Sequence, residues 1–254
     1  MRRIERAMII GASSGIGRAL AEQLLKEGAS VAMVARRPSM TNDELRMIDH
    51  ARMTNGDAAP KAFVYQHDVT NYAEIPALFQ QITHDLGGLD LIIYASGVMQ
   101  GVDEHEYSFE KDRETIEVNV LGAFAWLNEA AKRFEQLKNG TIVGISSVAG
   151  ERGRRGNPAY CTSKAALTTY LESLRNRLSR FGVKVVTIKP GFIDTPMTRG
   201  KPGLFWVISA EAASKRILTA AKRGESTVYV PARWRLVTLV LKCIPSFLFR
   251  RLPV

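Results

Sequence analysis

Residues 7–17 read Ala7-Met8-Ile9-Ile10-Gly11-Ala12-Ser13-Ser14-Gly15-Ile16-Gly17. The run Ala7 to Ile10 is wholly apolar and predicts a strand covered on both faces. Three glycines follow, and a helical pattern begins at Gly15 and extends over 15–27. Glycine lets the backbone turn sharply and lets an anion approach the helix N-terminus, where free N–H groups and the helix dipole favour it. A dinucleotide pyrophosphate is such an anion. The spacing is G-x-x-x-G-x-G, which is neither G-x-G-x-x-G nor a Walker A loop, since no Lys-Ser/Thr follows. A tight strand-to-helix turn without a ligand is the plainer alternative.

Outward from this stretch the same alternation recurs. Apolar runs at 31–35, 63–66, 89–94, 141–145, 183–188 and 227–230 predict strands. Helical patterns lie at 41–53, 73–86, 158–180 and 210–223, with one long or two broken helices over 109–137. The expected fold class is α/β, a single-domain Rossmann-type doubly wound parallel sheet. No linker or internal repeat divides the chain, so the domain is expected to span 1–232. Within it the Gly-, Pro- and Thr-rich stretch at about 191–209 suits a substrate loop. An apolar–basic C-terminal tail occupies 233–254.

The 254 residues are 46% hydrophobic and 24% charged, ordinary values for a globular chain. The net charge of +10 is partly local, because five basic residues fall between Arg233 and Arg251 with no acid among them. No zinc-finger spacing and no basic stripe with interleaved aromatics occurs, so no nucleic-acid partner is expected. Cys161 and Cys243 are too few for a disulfide framework, and the first apolar run is too short for a secretory signal. No run reaches the roughly 18 apolar residues of a spanning helix. A cytoplasmic location is expected, with peripheral contact at the inner membrane surface as an option through 233–252. His50, His67, His84 and His105 lack metal-ligand spacing, and no metal is expected. A hydrolase reading of Ser146 and Ser147 fails because G-x-S-x-G breaks at Val148.

At the end of the second strand, NAD-selective sites place a carboxylate for the ribose hydroxyls. Here Ala35 is followed by Arg36 and Arg37. A missing acid and a present guanidinium favour a 2′-phosphate, hence NADP(H), with NAD(H) as the alternative. Arg36 as a solvated surface residue is the bland reading. Asp68, before Val69, is placed to accept from an adenine amino group or to cap a helix. Tyr160 and Lys164 stand at i and i+4 and share a helix face. An ammonium beside a phenol favours phenolate, which tunes an otherwise weak base. Ser147 follows the fifth strand and is placed to hold a substrate oxygen. Asn119 is expected to link, through water or backbone, to Lys164. Packing of a ring beside a snorkelling lysine is the commoner meaning of such a pair.

Together these residues resemble the short-chain dehydrogenase/reductase family. The resemblance covers about 7–230 and rests on Gly11 to Gly17, Asp68-Val69, Asn119-Val120, Ile145-Ser146-Ser147, Tyr160-Cys161-Thr162-Ser163-Lys164 and Pro190-Gly191. It implies a tetrad of Asn119, Ser147, Tyr160 and Lys164, with proton transfer by Tyr160 and a ribose contact by Lys164. It implies a cofactor site of Gly11, Ser13, Ser14, Gly15, Ile16, Gly17, Arg36, Arg37, Asp68, Val69, Ala95, Ser96, Gly97, Tyr160, Lys164, Pro190, Gly191, Ile193 and Thr195. It also implies a homo-oligomer, through 109–137 and 158–180. Two departures stand out. The family's Asn-Asn-Ala-Gly is Tyr94-Ala95-Ser96-Gly97 here, and Ile10 replaces the usual Thr. The first removes amides that support the central strand and the cleft.

Ala149 to Arg155 and the ending from Ile244 to Pro253 are similar to the keto-reductase of decaprenylphosphoryl-arabinose synthesis, which implies a lipid-linked keto-sugar substrate. Arg152, Arg154 and Arg155 then suit either a substrate phosphate or a solvated loop. The tail suits either a membrane interface or packing on the core or a partner subunit. The expected activity is hydride transfer between NADP(H) and a carbonyl or secondary alcohol. The rival classes are a non-catalytic dinucleotide sensor and a membrane-surface scaffold.

Overall fold

The computed structural model describes residues 3–37, 61–201 and 203–252. The helix expected over 41–53 lies outside them. Seven strands form one parallel sheet: β1 (Arg6–Ile10), β2 (Ser30–Ala35), β3 (Ala62–Gln66), β4 (Leu91–Tyr94), β5 (Thr141–Ile145), β6 (Lys184–Pro190) and, after a small pair β7 (Ile193–Asp194) and β8 (Ile208–Ser209), β9 (Thr227–Val230). The order is β3-β2-β1-β4-β5-β6-β9. The chain winds outward to β3, then crosses back to β4 beside β1. That reversal opens a crevice at the carboxyl ends of β1 and β4, the usual ligand position in such sheets. The expected single-domain doubly wound sheet is the fold observed.

The inner strands β1, β2, β4 and β5 are almost wholly buried, as continuous apolar runs require. The edge strand β3 alternates instead between half-buried and exposed. On one face α1 (Gly15–Lys26) and α6 (Ala210–Arg223) pack on Ile9, Val31, Val143 and Val186. On the other face α2 (Ile75–Asp85), α4 (Gly122–Leu137) and α5 (Pro158–Leu178) cover Met8, Ile10, Ile92 and Ile142.

The helical stretch over 109–137 is one rod with a fault in it. Helix α3 (Phe109–Ile116) passes through a π-helical turn, Glu117–Leu121, directly into α4. A π turn inserts an extra residue and shifts the phase of the helix beyond it. Asn119 sits within it and is fully buried.

The tail is a helix α7 (Trp234–Cys243), a break at Pro245 and a short turn α8 (Ser246–Phe249). Its inner side packs on the body through Trp234 and Thr238, both buried. No helix among the described residues is long and apolar enough to cross a membrane.

Candidate active site

A cleft of about 300 Å³ opens at the carboxyl edge of the sheet. At its base Gly11 has φ +93°, and a Cβ there would meet the Ser96 backbone, 2.7 Å from Cα. A Cβ on Gly17 would run into the Gly11 carbonyl. These two glycines let the β1 turn, the β4 end and α1 converge. Ser14 caps α1 without a side-chain bond, and the first turn holds no acid. The helix N-terminus therefore presents amides and positive dipole to the cleft. A pyrophosphate fits that cradle.

All the residues expected at the cofactor site line this cleft, from Gly11, Ser13, Ser14, Gly15, Ile16 and Gly17 through Arg36, Arg37, Asp68, Val69, Ala95, Ser96 and Gly97 to Pro190, Gly191, Ile193 and Thr195. Ser147, Tyr160 and Lys164 line it too. His67, Val118, Pro196, Met197 and Thr198 line it as well and were not foreseen.

Arg36 and Asp68 stand together at one end, 3.9 Å apart, the arginine exposed and the carboxylate half-buried. Asp68 accepts from the Thr70 amide at 3.0 Å and hydroxyl at 2.8 Å, so it caps the local turn. Burial alone would raise its carboxyl, but the Thr70 bonds and Arg36 outweigh that and hold it below the usual range. Next to it His67 is buried, edge-on to Trp126 at 5.6 Å.

At the other end, Asn157 caps α5 by accepting from the Tyr160 amide at 3.1 Å, and Pro158 follows at the first turn. Asn157 also donates to Gln100 O at 2.7 Å, tying the helix start to the loop after β4. The spacing around Tyr160 gave no hint of this cap. The Ser146 hydroxyl donates to Lys164 O at 2.8 Å, and a Cβ on Gly150 would meet the Lys164 carbonyl carbon at 2.6 Å. The loop after β5 is thus pressed on the turn that carries Lys164. Lys164 donates to Ile145 O at 3.1 Å, with its ammonium 5.6 Å from the Tyr160 ring centre.

The electrostatics differ from the expectation of an ammonium-tuned phenol. Burial pushes Tyr160 up to about 12, while a bond with Ser147 pulls the other way. Burial lowers Lys164 to about 8. Removal from water is the largest cause at both groups, and the Lys164 ammonium meets a backbone carbonyl. Tyr160 is therefore held as a protonated phenol. The Arg154 charge acts in the same direction as the Ser147 bond, favouring the ionised phenol.

Asn119 does not touch Lys164. Its side chain accepts from the Val98 amide at 2.8 Å and donates to Val98 O and Ser163 Oγ, both at 2.9 Å. Its Oδ1 and the Lys164 Nζ each lie 3.3 Å from the place that a Cβ on Gly97 would take. Tyr94, which stands where an asparagine was expected, is fully buried and donates from its hydroxyl to Val118 O at 2.5 Å. The phenol thus supplies a link from the central strand to the π turn.

The arginines after Ser147 separate. Arg152 turns to the tail, donating to Leu241 O and Ile244 O at 2.5 Å and lying over the Phe249 ring. Arg155 pairs with Glu104 at 3.2 Å. Neither reaches the cleft. The acid before them, Glu151, holds Lys189 at 2.6 Å, Tyr229 Oη at 2.7 Å and Lys242. Burial would raise its carboxyl, but these three partners keep it below the usual range. The 191–209 loop is closed at its base by the β7–β8 pair, and Phe192, Phe205, Trp206 and Trp234 gather in one aromatic cluster.

Known proteins share sequence and fold with this chain. A family model described as short chain dehydrogenase matches residues 5–202. The chain is 33% identical over 245 residues to an uncharacterized oxidoreductase of Myxococcus xanthus, covering 96% of this chain and 94% of that one. It is 28% identical over 249 residues to an uncharacterized oxidoreductase of Mycobacterium tuberculosis, covering 97% and 96%. Among solved structures, a short chain dehydrogenase from Burkholderia cenocepacia in complex with NADP superposes with a TM-score of 0.80 over the whole of both chains at 24% identity. The protein ElxO with NADP bound gives 0.75 over 89% of this chain and 96% of that one at 21% identity. With the family model matched over most of its length and the cleft built as described, this chain belongs to the short-chain dehydrogenase/reductase family of oxidoreductases.

Proposed function

We propose that the chain is an NADP(H)-dependent reductase of a carbonyl on an amphiphilic substrate, such as a polyprenyl-phosphate-linked keto-sugar. The observation that carries this is the convergence of Ser147, Tyr160 and Lys164 on the cleft that the Gly11–Gly17 turn opens. In this reading the α1 N-terminus and its glycines hold the pyrophosphate, and Asp68 and Val69 border the adenine. Ala95, Ser96 and Gly97 form the floor, and Pro190, Gly191, Ile193 and Thr195 border the carboxamide. Arg36, with Arg37 beside it, meets a 2′-phosphate, which favours NADP(H) over NAD(H). The NADP bound in the Burkholderia cenocepacia and ElxO structures supports the choice. When bound, NADPH supplies the hydride.

The chain's own groups handle the proton. Ser147 holds the substrate oxygen against the Tyr160 hydroxyl. Tyr160 donates its proton as negative charge develops on that oxygen, a task suited to a phenol that burial keeps protonated. Lys164 donates to the ribose and keeps a positive charge near the reacting oxygen. Asn119 positions the Val98 segment and, through Ser163, the turn before Lys164. With Arg152 and Arg155 engaged elsewhere, Arg154 is the arginine of its loop assigned to a substrate phosphate. Association of copies through 109–137 and 158–180 belongs to the same proposal and is read by sedimentation velocity.

Tyr160→Phe tests it. NADPH binding is expected to persist while turnover of ketones and of a polyprenyl-phosphoryl keto-pentose falls by about 10²–10⁴. Unchanged turnover overturns the assignment.

A further inference from the structure

Helix α7 is apolar on both sides. Trp234, Val237, Thr238 and Leu241 form the inner stripe, at the i, i+3, i+4, i+7 spacing of one helix face. Leu236, Leu239 and Val240 form the outer one, 68%, 58% and 62% exposed. Apolar residues on two sides of a helix call for two covers, and here only the inner side has one. It is not free to roll. Arg152 grips the Leu241 and Ile244 carbonyls, Lys242 pairs with Glu151, and Trp234 is buried among Phe192 and Phe205.

The exposed stripe has neighbours at both ends. Phe205, Trp206 and Val207 of the 191–209 loop are exposed, and the first two are joined to Trp234 by ring contacts at 5.3 and 5.9 Å. Beyond the Pro245 break, Phe247 and Leu248 are exposed as well. The edges are cationic. Arg233 lies 4.6 Å over the Trp206 ring, and Arg235, Arg250 and Arg251 are exposed. No acidic residue occurs after Glu225.

We propose that this surface seats on an anionic phospholipid bilayer, with Phe205, Trp206 and the outer stripe of α7 among the acyl chains and the arginines among the headgroups. Charge decides between this occupant and a second copy of the chain. A two-fold contact through this face sets arginines against their own images, with no carboxylate on the segment to meet them. Anionic headgroups provide the missing charge. The loop that borders the cleft is then turned to lipid, and an amphiphilic carbonyl enters from the membrane without crossing water. That last step rests on the carbonyl-reductase reading, whereas the seating itself does not.

The test uses the full chain, without cofactor for vesicle binding and with NADPH added for ketone reduction, and the triple variant Leu236→Glu/Leu239→Glu/Val240→Glu, whose positions are exposed and outside the cleft. The wild type is expected to sediment with vesicles containing phosphatidylglycerol, to ignore vesicles of phosphatidylcholine alone, and to lose binding in high salt. The variant is expected to bind more than about tenfold more weakly, with the same melting temperature and NADPH affinity. Equal vesicle binding by the two proteins overturns the seating. So does a failure of the wild type to bind, or a wild-type dimer that the variant splits in sedimentation velocity. Reduction of a long-chain ketone embedded in those vesicles should fall in the variant while reduction of a water-soluble ketone does not; equal loss on both overturns entry from the membrane. If neither protein reduces any ketone yet the wild type binds vesicles, the carbonyl reading fails and the seating stands.

Discussion

Replacing Glu151 with alanine tests how the tail is fastened to the loop that carries Ser147. The Glu151 side chain is only 3% exposed, and the Lys189 side chain it meets at 2.6 Å is 9% exposed. Removing the carboxylate leaves the Lys189 charge buried and uncompensated, which costs about 3–5 kcal/mol. That is a large part of the roughly 5–15 kcal/mol that holds a typical fold. Glutamine keeps an oxygen for Lys189 and Tyr229 but no charge, and about 1.5–3 kcal/mol is expected, the worth of a bond to a charged group. Lys242→Met removes a half-exposed partner and should cost less than about 1 kcal/mol. Urea unfolding at neutral pH, followed by tryptophan fluorescence with Trp234 at the far end of α7, measures all three. The alanine variant should be the least stable and Lys242→Met the most, at similar unfolding slopes. A loss below about 1 kcal/mol for Glu151→Ala, or an equal loss for Lys242→Met, refutes the reasoning. The pH dependence has a definite sign. The Glu151 carboxyl is held below its ordinary value, so its contribution is complete above an unfolded value of about 4.3 and vanishes as pH falls through the folded one. The gap between wild type and Glu151→Ala should therefore persist at neutral and mildly acidic pH and close only in strong acid.

Three further outcomes are expected. Arg36→Ala should weaken NADPH binding by about tenfold to a hundredfold, the loss of a charge-assisted bond, while leaving NADH nearly unaffected; equal losses for the two in titration calorimetry would remove Arg36 from cofactor choice. Asn119→Leu gives up bonds to Val98 and Ser163 in a fully buried place and should lower stability by about 1–3 kcal/mol, read by thermal melting, with kcat reduced and NADPH affinity kept; a variant with wild-type kcat would confine Asn119 to a structural part. Because burial lowers Lys164 to about 8, the free protein loses that ammonium as pH rises through this value, and kcat/KM should decline above it; a profile flat well into the alkaline range would show that the charge on Lys164 is not used.

The fold was legible because its strands are short apolar runs and the crevice follows from their order. Once β1 and β4 are neighbours, the residues after each strand must meet, and Gly11, Ala95 and Ser96 do. The spacing of Tyr160 and Lys164 put them on one helix face, and only their company with Ser147 and the glycine turn in one topology marked them out from an ordinary packed pair. Spacing carries no information about solvent, however, and exclusion of water is what sets the acidity of both groups. Glu151 escaped notice for a different reason. It stands before three arginines that suggest a solvated run, while its partners lie 38 and 91 residues ahead. The tail resisted a choice between membrane and core because both faces of α7 are apolar. Composition counts such residues without sorting them by side. Nor did the pattern over 109–137 disclose the π turn, which conserves helical periodicity on either side and changes only its phase.

Tyr94 and Gly122 bind two distant positions into one rule of substitution. The Tyr94 hydroxyl occupies the space where a side chain on the first residue of α4 would begin, and a Cβ there would lie 2.6 Å from it. Adding that methyl forces the phenol off the Val118 carbonyl, whereas trimming Tyr94 to leucine first removes this clash and leaves only the Val69 side chain, 3.1 Å from the new carbon, to give way. In a library varied at both sites, alanine at 122 should survive only beside a short residue at 94. Such pairing would let this central tyrosine be inferred from the amino acid twenty-eight places downstream.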